Sequence, residues 1–99
     1  MLLCERETER GLLVSVCDAD LLGRTFESGE ISLTVEESFY AGEGAVEADA
    51  DAVIAGLQRA SVANLVGEKS VGVAVEAGLI DEATVLEIGE TRHAQLLQI

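Results

Sequence analysis

Ninety-nine residues, 48% of them hydrophobic, suffice for one domain around one core, residues 1–99, with Phe26, Phe39 and Tyr40 as the only aromatics. Nineteen acids against six bases give a net charge of −13, with Lys69 the only lysine. Two cysteines exclude a disulfide framework, and no apolar run approaches the roughly 18 residues that would span a bilayer.

Excess acid, scarce lysine and small apolar residues read as a cytoplasmic protein adapted to high salt, where screening relieves self-repulsion. Acidity ordinarily argues against nucleic acid. In a salt-adapted protein the whole surface is acidic whatever the partner, so that argument weakens.

In chain order, Met1–Thr8 and Leu12–Cys17 read as an antiparallel hairpin turning at Glu9-Arg10-Gly11. Asp18–Gly23 reads as one helical turn, capped by Asp18 and stopped by Gly23. After a short strand over 25–27, the alternation of 31–36 predicts a strand with Ile31, Leu33 and Val35 inward and Ser32, Thr34 and Glu36 outward. Residues 41–48 read as a loop.

The stretch 49–80 predicts two consecutive helices joined at Asn64-Leu65-Val66-Gly67. Asp49 and Asp51 supply capping oxygens at its start. Val53, Leu57, Ala60 and Asn64 form one helical stripe, Val71, Ala74 and Val75 the next, and Gly78 stands at C′. Two strands, 84–88 and 93–99, close the chain around Gly89-Glu90-Thr91. The pattern is that of an α+β two-layer sandwich: a mainly antiparallel sheet with the two-helix segment packed on one face.

Candidate chemistry is sparse. His93 is the only histidine and a weak catalytic candidate; alternation puts it on one strand face with Gln95, and Arg92 and Ala94 on the other. A histidine hydrogen-bonded into the sheet edge is the plainer reading. Gly67-Glu68-Lys69-Ser70 lacks the glycines of a phosphate loop, although amides at a helix start beside Lys69 and Ser70 suit an anion. Cys4, Cys17 and His93 have no metal-ligand spacing, so neither a metal nor a cofactor is expected.

Four segments nevertheless resemble one family. Ala60-Ser-Val-Ala-Asn64-Leu-Val-Gly67, Gly89-Glu-Thr-Arg-His93-Ala-Gln95, Leu12-Leu-Val-Ser-Val-Cys-Asp18 and Phe39-Tyr40-x-Gly42-Glu43 are similar to the archaeal domain of unknown function 424. The resemblance implies a small archaeal α+β domain and draws interest to Asn64, Gly67, His93 and Gln95, with no activity, substrate or cofactor attached. Many members carry proline before the His-Ala-Gln. Arg92 stands there in this chain, which removes a rigid proline turn as the device presenting His93.

The expectation is a non-enzymatic binding module for a protein or ribonucleoprotein partner, using Asn64, Gly67, Lys69, Ser70, Arg92, His93 and Gln95. A small enzyme or anion-binding protein is the alternative, and it needs His93 and Gln95 to share a cleft with Gly67–Ser70. Direct RNA binding would instead gather Arg24, Arg59, Lys69 and Arg92 on one face.

Overall fold

The computed structural model describes residues 1–98 as one α+β body 33 × 29 × 26 Å across. Its centre is a six-stranded sheet ordered β5-β1-β2-β6-β8-β7, formed by Leu2–Thr8 (β1), Gly11–Cys17 (β2), Val46–Glu47 (β5), Val62–Val66 (β6), Leu86–Ile88 (β7) and Thr91–Leu97 (β8). Thr25–Ser28 (β3) and Ile31–Thr34 (β4) form a separate hairpin. Three helices complete the chain: Glu37–Tyr40 (α1), Ala50–Arg59 (α2) and Glu68–Glu76 (α3).

Four of the five pairings in the large sheet are antiparallel, and the fifth, β2 with β6, is parallel. This parallel pair overturns the expectation of two consecutive helices. The first helix stops at Arg59, and Val62–Val66 runs extended as the strand between β2 and β8. Ala60 and Asn64 fit a helical stripe only by coincidence of spacing. Val62, Leu65 and Val66 suit a strand apolar on both sides, as the middle of a sheet requires.

The helical layer sits where the pattern placed it. Val53 and Leu57 of α2 and Val71 and Ala74 of α3 pack on Leu3, Val14, Val16, Ala63, Leu65 and Ala94 in one buried cluster. Asp49 caps α2 by accepting from the Ala52 amide at 2.9 Å. Gly78, at φ +75°, ends α3; its own amide donates to the Val75 carbonyl and the next, Leu79, to Ala74, the paired bonds of a Schellman turn.

The opposite face has a smaller cover. Cys17, Val66 and Ile88 bury against Leu21, Phe26, Val35 and Tyr40, contributed by α1, the small hairpin and the turns beside them. Here the alternation of 31–36 fails in part: Val35 is buried, but Ile31 is 52% exposed because it pairs with Ser28 at the hairpin tip, beyond the core. The strand ends at Thr34, and Phe39 lies in α1, not on a prolonged strand. The 41–48 loop contains β5, and residues 82–84 form a short turn before β7 begins at Leu86. Ile99, placed in the last strand by the pattern, lies outside the described residues.

Candidate functional site

Register fixes which side chains share the second sheet face, because residues paired across strands point the same way. Three rows cross it. Arg6, Leu13, Val62 and Leu97 form one; Cys4, Ser15, Asn64 and Gln95 the next; Glu47, Leu2, Cys17, Val66, His93 and Leu86 the third. Glu47, on the two-residue border strand β5, is the only acid among them, in a chain that carries nineteen.

The cover lies over only part of these rows. Phe39 O accepts from the Ser15 hydroxyl at 3.0 Å, and the Arg6 guanidinium donates to the carbonyls of Ser38 and Phe39 at 2.7 and 3.0 Å, which fixes α1 over β1 and β2. Leu13 and Val62 are half-buried, and Leu86 and Leu97 are 51% and 73% exposed; all four lie outside both core clusters.

Two motif side chains meet at the middle of this open part. Gln95 donates its amide N–H to Asn64 Oδ1 at 2.9 Å across β6 and β8. His93 Nδ1 stands 2.9 Å from the Leu65 carbonyl. A carbonyl only accepts, so in that contact Nδ1 carries the proton and donates it. His93 thus takes the hydrogen-bonded position in the sheet that was the plainer expectation. Asn64, expected on a helical stripe, is instead a cross-strand partner of Gln95.

Gly67–Ser70 does something else. The Asp18 carboxylate reaches across from the end of β2 and accepts from the Lys69 amide at 3.1 Å, the Ser70 amide at 2.9 Å and the Ser70 hydroxyl at 2.8 Å. The helix-start amides therefore hold the chain's own anion. Asp18 makes no side-chain cap on its own turn, contrary to the sequence expectation; it caps α3 instead. Gly67 makes this possible: at φ +114° it takes a conformation L residues avoid, and a Cβ there would stand 2.3 Å from Asp18 Cγ.

Lys69 lines a hollow of about 500 Å³ with Met1, Asp18, Asp20, Glu68 and Glu90. His93 and Gln95 open instead into a smaller one of about 240 Å³ with Thr84, Leu86 and Ala94. The two groups of motif residues thus line different hollows. Arg92 lies on the opposite strand face from His93 and pairs with Glu82 and Glu87; the hydrogen bond to Glu82 raises its pKa above the ordinary value. Arg59 pairs with Glu5, and Arg24 lies 3.9 Å from Glu90, so carboxylates neighbour three of the four cations an RNA surface would use. Cys4 and Cys17 are buried and free, and among the described residues no group of three metal-ligating side chains comes together. No helix among those residues is long and apolar enough to cross a membrane.

The open face itself was missed in the sequence. Leu13 and Val62 become neighbours only through the parallel β2–β6 pair, and Leu97 joins them through β6–β8. Residues 5–99 match the family model described as "Protein of unknown function (DUF424)", and the chain belongs to that family. It is similar to the crystal structure of an uncharacterized conserved protein from Methanopyrus kandleri, with 30% identity and a TM-score of 0.74 over 99% of this chain and 93% of that one. No curated protein matches the chain.

Proposed function

We propose that this protein is a non-enzymatic cytoplasmic binding module that docks a protein or ribonucleoprotein partner on the open half of its second sheet face. One observation carries the reading: three aligned rows of side chains with no carboxylate from β1 across to β7, Glu47 standing only at the far border, on a chain of net charge −13. Charge is depleted at the centres of protein interfaces, and apolar groups with a few fixed polar partners are what such centres contain. Leu13, Val62, Leu86 and Leu97 supply the apolar part, and the Asn64–Gln95 pair, with His93 at the hollow beside it, supplies the polar part.

A protein contact within any ribonucleoprotein is favoured over contact with its RNA, because Arg24, Arg59 and Arg92 stand beside carboxylates. The anion-ligand alternative is less favoured, because Asp18 occupies the amides it would use. The test is affinity capture of the tagged chain from its own host at native salt, with protein and RNA both analysed. Asn64→Ala, His93→Ala and Leu97→Glu should release whatever wild type retains, while Gln58→Ala on the exposed side of α2 should keep it. Equal retention by all four variants would overturn the reading.

A further inference from the structure

We infer that β8 takes up an extended segment of the partner as a seventh strand of the sheet, a step that rests on the binding-module reading and specifies how the partner attaches. The Gly67 amide donates to the Arg92 carbonyl and the Gln98 amide to the Ser61 carbonyl. Even-numbered residues of β8 therefore direct their peptide groups at β6, and odd-numbered ones at the other side. On that other side β7 pairs only with Thr91, Arg92 and His93. The peptide groups of Gln95 and Leu97 face outward with no strand beside them among the described residues.

Such an edge invites pairing, and folded proteins usually guard it with charge, proline or brevity. The other border of the sheet is guarded: β5 has two residues, one of them Glu47. The open half of β8, Ala94-Gln95-Leu96-Leu97, has neither a charge nor a proline. Next to it, where β7 stops, lies the hollow of about 240 Å³ between Thr84, Leu86, His93 and Gln95, wide enough for one side chain of an added strand.

Charge decides the occupant. A second copy would bring another −13 to the same edge. A segment of alternating apolar and polar residues with Lys or Arg at its ends would place neutral backbone on the neutral strand. Its flanking cations would approach Asp81 and Glu82, which precede the Thr84 wall of the hollow.

The probe is a fluorescein-labelled peptide of alternating valine and threonine with two lysines at each end, read by anisotropy and by hydrogen exchange at molar KCl. Saturable binding should slow exchange at the amides of Gln95 and Leu97. Leu97→Pro, which removes one outward donor at an edge position that tolerates proline, should bind at least tenfold more weakly than Leu97→Ala, which keeps the donor. Three outcomes overturn strand addition: no saturation, protection elsewhere, or equal binding by the two Leu97 variants. Sedimentation showing dimers that Leu97→Pro abolishes would give the edge to a second copy instead. If strand addition fails while Asn64→Ala still releases the captured partner, the binding module stands and only its mode of docking is wrong.

Discussion

Removal of the Asp18 carboxylate tests the contact that ties the sheet to α3. Asp18→Ala takes the acceptor from two amides and one hydroxyl, at 3.1, 2.9 and 2.8 Å. Ser70 is fully buried, so its amide and hydroxyl would be left without water. Losing a cap costs about 1–2 kcal/mol, and a stranded buried donor about 1–3 kcal/mol. Returning the carboxylate's desolvation offsets part of this, so the net loss should be about 3–4 kcal/mol. A chain of this length has about 5–15 kcal/mol in total, and at about 4–8 °C per kcal/mol the melting temperature should fall by about 15–25 °C. Asp18→Asn keeps one acceptor and should lose about half as much. Urea unfolding followed by circular dichroism at molar KCl measures both. A loss below about 1 kcal/mol for Asp18→Ala would mean that the carboxylate is not a working cap, and the account of Gly67 would fall with it.

Three other perturbations have defined outcomes. Burial, with a contribution from Asp18 beside it, pushes the Cys17 thiol up to about 11 from 9.0. The folded state then holds a proton that the unfolded chain releases, so stability is intact below pH 9 and should decline by about 2–3 kcal/mol as pH rises from 9 to 11; urea midpoints for wild type and Cys17→Ala at successive pH values check it, the variant lacking that part of the slope. Leu57→Ala removes a fully buried side chain from under the helical layer and should cost about 2–5 kcal/mol in the same assay. With −13 charges on one small body, the wild-type urea midpoint should rise steadily from about 0.1 to 2 M KCl, and a flat dependence would refute the salt-adapted reading.

Local features of the fold were legible and distant ones were not. The first hairpin, the Asp49 cap and the Gly78 stop each depend on neighbours in sequence, and each is found. Residues 62–66 were not legible as a strand, because a centre strand between two others carries apolar groups on both faces and loses the alternation that marks exposed strands. Ile31 followed the alternation rule and still faces outward, since the rule cannot say where a hairpin overhangs the core. The partner of Asp18 lies 52 residues away at Ser70, so its local reading as a cap on its own turn was natural and incorrect. The motif positions divide for the same reason: Gly67 gives room to a distant carboxylate, while Asn64 and Gln95 meet only once β6 and β8 are paired.

The parallel pair at the centre also governs the order in which the chain can fold. Leu13 and Val62 must meet across 48 intervening residues before β6 has a place, and only then can β8 add to it. The β1–β2 and β7–β8 hairpins close over a few residues each and can form within microseconds. Loop-closure entropy delays their union, and mixed α/β topologies accordingly fold more slowly than helical bundles of the same size. A chain growing from its amino terminus thus holds a finished hairpin with one apolar border open until residue 66 has emerged. Assembly of the sheet begins at its two hairpins and is completed at its middle, where β6 joins β2.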